Sequence, residues 1–183
     1  MVDACFRVAG TGSLGVKRYL FLLKGTKLEK DYLLLDMKQA TPSSLIPYLK
    51  LPQPLWQSEA IRTVAIQERV QNISPALLST TEFKNDSYVM QEMQPVEDKV
   101  DFNLIKNSYR DVCEVITTMA LLTASAHLRS GGREGSALAD ELISFGANKA
   151  GHEELLNYGK NYALQVKNDY QNFLEDYNNH LIL

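Results

Sequence analysis

A chain of 183 residues, 45% hydrophobic and 22% charged, has the composition of one soluble globular domain with material for a sizeable core, which excludes a disordered chain. Its net charge of −3 comes without a basic stripe or polybasic run, so neither a nucleic-acid groove nor an anionic membrane surface is expected. Cys5 and Cys113 stand far apart and outside any Cys-x-x-Cys spacing, which predicts two buried free thiols rather than a disulfide framework or zinc site.

The first element is the short apolar segment Phe6-Arg7-Val8-Ala9, followed at once by Gly10-Thr11-Gly12-Ser13-Leu14-Gly15. Glycines spaced Gly-x-Gly-x-x-Gly let backbone N–H groups approach an anion without obstruction from Cβ, so the run can cradle phosphates. Tyr32 to Lys38 is a short run of large apolar groups after Lys24-Gly25-Thr26 and reads as a buried strand with a polar end at Lys38. Pro42, Pro47, Pro52 and Pro54 then leave room only for short helical turns, with Ser43 to Ile46 as the candidate. Ser58 is placed to cap a helix from Glu59 that Ser74-Pro75 stops. Two β-like runs, Leu77 to Phe83 and Ser87 to Met93, flank the turn Lys84-Asn85-Asp86 and predict an antiparallel hairpin.

Beyond Pro95 the period changes to helical. Phe102, Ile105, Tyr109, Val112, Ile116, Met119 and Leu122 predict one long helix from the cap Asp101 to about Ser130, closed by Gly131-Gly132. A further helix is expected from Ser136 to Phe145. The last helix carries Leu155, Tyr158, Tyr162, Val166, Tyr170, Phe173, Tyr177 and Leu181 at steps of three or four, a stripe that reads as core packing. No segment approaches the length of a bilayer span, and no basic region leads a long apolar stretch at the amino terminus, so a cytoplasmic protein is expected.

The glycine run fits two folds. A dinucleotide-binding strand, turn and helix would put Val16, Tyr19, Leu20 and Leu23 on one helical face and use Asp36, about twenty residues on, for a ribose. That fold needs further strand–helix repeats, which the proline-rich connector, hairpin and terminal helices do not supply. The alternative takes Val16 to Leu23 as a strand. The order strand, glycine loop, strand, strand, helix, strand, strand, helices is then that of a protein-kinase amino-terminal lobe leading into the helices of the second lobe. Lys38 ends the third strand, where it can reach nucleotide phosphates, and a helix carboxylate, Glu68 with Glu59 as competitor, can hold its ammonium. His127, near a helix end beside Arg129, has no metal-ligand companion at helical spacing and reads as a helix-end cation. No Ser-His-Asp grouping or nucleophile elbow indicates a hydrolase.

Taken in order, Val8 to Gly15, Leu35-Asp36-Met37-Lys38-Gln39-Ala40 and Ala124-Ser125-Ala126-His127-Leu128-Arg129-Ser130-Gly131 resemble the carboxyl-terminal part of the bacterial family called domain of unknown function 2252. The resemblance runs from the glycine loop to the final helix. It implies a kinase-like fold and nucleotide contacts for Gly12, Ser13 and Lys38. It also implies that a Gly-Asp-x-His…Asn-Phe-Gly segment and an aspartate-rich one, like the catalytic and metal-binding loops of small-molecule kinases, belong ahead of the glycine loop. Neither occurs in this sequence, and Gly132 stands where the family tends to carry an aspartate.

The expectation is therefore an α+β, protein-kinase-like fold: a small antiparallel sheet with one packed helix over residues 1–95, and a helical subdomain over residues 96–183, forming one compact unit. Function is expected to be nucleotide binding, ATP with Mg, through Gly10, Gly12, Ser13, Gly15, Lys38 and Glu68, with the backbone from Gln91 to Met93 meeting the adenine. Phosphoryl transfer would require carboxylates from a complementary chain carrying the other half. The competing expectation is a non-catalytic remnant or interaction module that forms a homodimer through its helices.

Overall fold

Alternating apolar side chains and tight turns build the first half of the chain into a sheet. The computed structural model describes residues 1–10, 14–25, 32–95 and 98–182. It divides into two units, Met1–Ser136 and Ala137–Leu183. The first carries five strands: β1 (Asp3–Phe6), β2 (Arg18–Lys24), β3 (Tyr32–Gln39), β4 (Ser79–Phe83) and β5 (Asp86–Glu92). They lie in the order β1-β2-β3-β5-β4, with every neighbouring pair antiparallel.

The stretch after the glycine run is thus a strand, and the run connects two paired strands rather than opening a helix. Gly10 and Gly15 have φ of +57° and +79°, and among the described residues, chain neighbours apart, no heavy atom lies within 4 Å of where a Cβ would sit at either. What they need from glycine is backbone hand, not a close contact. Gly12 and Ser13 lie outside the described residues.

The proline-rich connector holds a single 3-10 turn, Ile46–Tyr48. It leads to α1 (Glu59–Val70), whose Ser58 Oγ accepts the Ile61 N–H at 3.2 Å, as the capping pattern predicts. The β4–β5 turn is tighter than expected. Lys84 and Asn85 alone form it, with φ of 49° and 65°, and Asp86 already belongs to β5. Positive φ at both central residues is the hand that matches the twist of the flanking strands.

Strand alternation separates the sheet's two faces. One carries Phe6, Tyr19, Leu35, Met37, Phe83 and Tyr88, of which Leu35, Met37 and Tyr88 are buried. Tyr19 on β2 meets both Tyr88 on β5 and Phe83 on β4, with ring centroids 6.1 and 6.2 Å apart. Contact across two intervening strands requires the sheet to curl around this face. The opposite face carries Arg18, Asp36, Lys38, Val89 and Gln91, and α1 contributes Thr63 and Gln67 beside them.

The expected helix from Asp101 to Ser130 is two helices, α2 (Phe102–Ile105) and α3 (Tyr109–Ser130). Asp101 caps the first through the Asn103 N–H at 2.8 Å. Ser108, with φ −110° and ψ 99°, leaves helical geometry so that its Oγ can accept the Asp111 N–H. A side chain that offers the backbone a local partner ends one helix and starts the next. α3 stops at Ser130, and Gly132 has φ +70°.

The second unit holds α4 (Ala139–Ala147) and α5 (Lys149–Asn178). α4 starts later than expected because the Ser136 hydroxyl is engaged in the preceding turn, donating to the Ser130 carbonyl and accepting the Arg133 N–H. The aromatic stripe of α5 is not core packing. Tyr158, Tyr162, Tyr170 and Phe173 are each half exposed or more. The cysteines also differ from expectation, since Cys5 is exposed on β1 and Cys113 is only half-buried. No helix among the described residues is long and apolar enough to cross a membrane.

Candidate functional site

Pairing register assembles the site. Lys38 on β3 lies directly opposite Arg18 on β2 and Val89 on β5, while Asp36, two residues earlier and on the same face, lies opposite Gln91. These side chains, with Val16 before β2, Thr41 after β3, and Thr63 and Gln67 from α1, line a cavity of about 390 Å³. α1 reaches it because Ser58 fixes its start and the Ala60 N–H donates to Ser87 Oγ of β5 at 3.2 Å.

Asp36 is buried, and its carboxylate is held by two arginines. Arg7 Nη1 donates to Oδ1 at 3.0 Å. Arg18 Nε lies 2.7 Å from Oδ1 and 3.0 Å from Oδ2, and Arg18 Nη2 also donates to Oδ2. Arg7 lies three residues before Gly10 and Arg18 three residues after Gly15, so one buried carboxylate on β3 grips both stems of the loop. Fork-shaped guanidinium donors satisfy the lone pairs that burial would otherwise strand. Three guanidinium N–H donors tie this carboxylate to the stems of the loop, a different role from the ribose contact that a dinucleotide-binding fold would have asked of it.

Lys38, two residues on, forms no ion pair or hydrogen bond among the described residues. Arg7, Arg18 and Lys38 against Asp36 give the cluster an excess of positive charge. Lys17 and Asp86 lie outside the cavity lining. Lys17 Nζ donates to Asp86 Oδ2 at 2.7 Å and the Lys17 N–H donates to Gln39 Oε1, joining the start of β2 to the β4–β5 hairpin across the end of β3. The hydrogen bond and charge of Asp86 raise the Lys17 ammonium above its ordinary value, and the hydrogen bond from Lys17 holds the Asp86 carboxyl below its own. Burial raises the Tyr88 phenol, whose hydroxyl faces Asp86 Oδ2 at 3.4 Å.

The other residues singled out in the sequence fall in different places. Gln91 reaches the cavity through its side chain. Met93 does not line it, and its N–H donates to the Leu34 carbonyl at 2.8 Å, while the Glu92 N–H donates to Ala76. Of the backbone expected to meet an adenine, the Glu92 and Met93 N–H groups are therefore already engaged, one by the turn before β4 and one by β3. Glu68 is turned away and shares a separate depression with Arg69, Arg129 and Arg133. The expected Lys38–Glu68 ion pair is not formed. Successive helical residues differ by about 100°, so the side chain aimed at the cavity is the preceding one, Gln67. Glu59 pairs with Arg62 at 2.6 Å. His127 lines a distinct cleft between α3 and the segment Val70 to Ile73.

Sequence reading passed over Arg7, Arg18, Thr63 and Gln67. A signal for Arg18 was present: in the strand reading of Val16 to Leu23, an arginine falls at the strand's start, where a hairpin to β3 sets it beside Lys38. For Thr63 and Gln67 the signal was helix phase, which needed the position of α1 against the sheet.

The family described as "Uncharacterized protein conserved in bacteria (DUF2252)" matches residues 1–176. No curated protein and no solved structure matches the chain. With nearly its whole length under that one match, the chain belongs to the DUF2252 family of uncharacterised bacterial proteins.

Proposed function

We propose that this chain is a kinase-like, nucleotide-binding module in which the Gly10 to Gly15 loop covers phosphates over the cavity and Lys38 contacts them. The observation that carries the reading is a strand, glycine loop and strand leading to a third strand whose lysine is unpaired among the described residues and lines a cavity beside α1. A lysine on the third strand under a glycine loop is the arrangement by which kinases hold phosphates. Two refinements follow from the geometry. α1 presents Gln67 and Thr63 to the lysine, in place of Glu68. The base, lacking free backbone donors at Glu92 and Met93, meets the Gln91 side chain with Val16 and Val89.

The residues present do not fit a protein-held magnesium ion. No group of three His, Cys, Asp or Glu side chains able to hold a metal occurs among the described residues, and Asp36 is committed to its arginines. Any magnesium would arrive on the nucleotide phosphates. Phosphoryl transfer would then draw its carboxylates from a partner chain or from sequence outside these residues.

Calorimetric titration with Mg-ATP, and separately with NAD, tests this reading. The expected result is saturable Mg-ATP binding, weakened by about tenfold or more, on the order of 1.4 kcal/mol, in Lys38→Ala, and no NAD binding. Absence of Mg-ATP binding, or equal binding by the variant, overturns it.

A second reading is favoured by one observation, the exposed stripe of α5. Leu155, Val166 and Tyr177 recur at eleven-residue spacing, as do Tyr162 and Phe173, a period suited to helices that wrap each other with right-handed twist. In this reading the chain self-associates as a homodimer through α5. Light scattering across a dilution series should show a dimer that Tyr162→Glu converts to monomer, and a monomer at every concentration would refute it.

A further inference from the structure

We propose that Arg18 and Lys38 form a two-pronged site for a phosphate group on the floor of the cavity, with Asp36 and Arg7 as the residues that fix Arg18. This goes beyond nucleotide binding, because it requires a phosphate-bearing small molecule but no base.

The first observation is a conflict within the sheet. Arg18 and Lys38 are direct cross-strand partners on the same face. Like charges so placed repel and destabilise the pair. Asp36 does not resolve the conflict, because its two oxygens are taken by Arg7 and Arg18, leaving Lys38 uncompensated among the described residues. A local rule broken in the floor of a cavity points to an anion that completes the charge balance.

The second observation is donor geometry. Asp36 engages the Nε–Nη2 edge of the Arg18 guanidinium. A guanidinium has five N–H donors, so the Nη1 side and the outer Nη2 hydrogen stay available. The Arg18 side chain is only 18% exposed and its head is clamped, which removes most of the freedom a ligand would otherwise have to freeze. Cross-strand neighbours hold their Cβ atoms about 5 Å apart, so the guanidinium edge and the ammonium can meet oxygens of one tetrahedral group.

The third observation is the lining. Among the described residues Asp36 is its only carboxylate, and it is neutralised, while Thr41 and Gln67 add hydroxyl and amide donors; the Thr63 hydroxyl already donates to the Glu59 carbonyl. A planar carboxylate can satisfy the guanidinium edge. A phosphate has a further terminal oxygen for the ammonium, so we assign the site to phosphate.

The test is calorimetric titration of the whole chain with inorganic pyrophosphate, adenosine and citrate. Pyrophosphate should bind saturably, adenosine should not, and citrate should bind more weakly than pyrophosphate. Lys38→Met and Arg18→Lys should each weaken pyrophosphate binding by tenfold or more. If Arg18→Lys does not fold, Lys38→Met, whose ammonium pairs with nothing described, still decides. Wild type that ignores pyrophosphate, variants that bind it unchanged, or citrate binding as tightly all overturn the proposal. Mg-ATP binding without pyrophosphate binding leaves the nucleotide reading standing and removes this one, and pyrophosphate binding with no gain from the nucleoside does the reverse.

Discussion

Asp36 shows how much a single position can decide. A buried carboxylate loses several kcal/mol of solvation unless its partners are well placed, and Arg7 and Arg18 supply them from positions 29 and 18 residues away. That separation is why the sequence disclosed Asp36 as a charged residue ending an apolar run but not its purpose. Asp36→Ala should lower stability by about 3 kcal/mol, the low end for a broken buried pair, because the two arginine heads keep some solvent. Urea denaturation measures this, and a loss below about 1 kcal/mol would show that water replaces the carboxylate easily.

Lys17 and Asp86 make a different prediction, one about pH. The folded carboxyl lies below its ordinary 3.8, so its contribution is complete above that value and disappears as pH falls through the folded value. The folded ammonium lies above its ordinary 10.5, so its contribution is complete below that value and disappears as pH rises through the folded value. The urea midpoint of wild type minus that of Lys17→Ala should therefore be flat between roughly pH 5 and 9 and shrink on either side. A difference that persists at pH 2 would mean that the lysine acts through packing instead.

Among the elements, those governed by local rules were legible. The Ser58 cap and the β4–β5 turn depend on residues within a few positions of one another, and each forms near its expected place, while the first strand, expected at Phe6 to Ala9, lies at Asp3–Phe6. What failed was phase and competition. Glu68, expected beside Lys38, lines another depression, and Gln67, one residue earlier on the helix, lines the cavity. The long helix expected from Asp101 overlooked that Ser108 would cap a new one. The glycine loop yields a prediction at this scale. With φ of +79° and open space around it, Gly15→Ala should cost about 1 kcal/mol through backbone strain alone. A variant as stable as wild type would show that the loop relaxes to negative φ at no cost.

At the scale of the whole molecule, periodicity identified the amphipathic character of α5 but said nothing of what covers its stripe, which is why a helix expected to be core is exposed. The hairpins were readable because short connections join antiparallel neighbours, whereas the β3–β5 pairing is made across the proline-rich connector, α1 and β4. The cavity was readable only in part, because it is made by register between strands and by the placement of α1 on one face. We propose that this cavity, lined by Lys38, Arg18 and α1, receives a phosphate-bearing ligand. The most direct test is a titration of the isotopically labelled chain with Mg-ATP followed by amide chemical shifts. The account predicts saturable changes concentrated at Gly10, Gly15 to Arg18, Lys38 to Thr41 and Gln91, with α5 unmoved. Changes confined to α5 or to the His127 cleft, or none at saturating nucleotide, would contradict it.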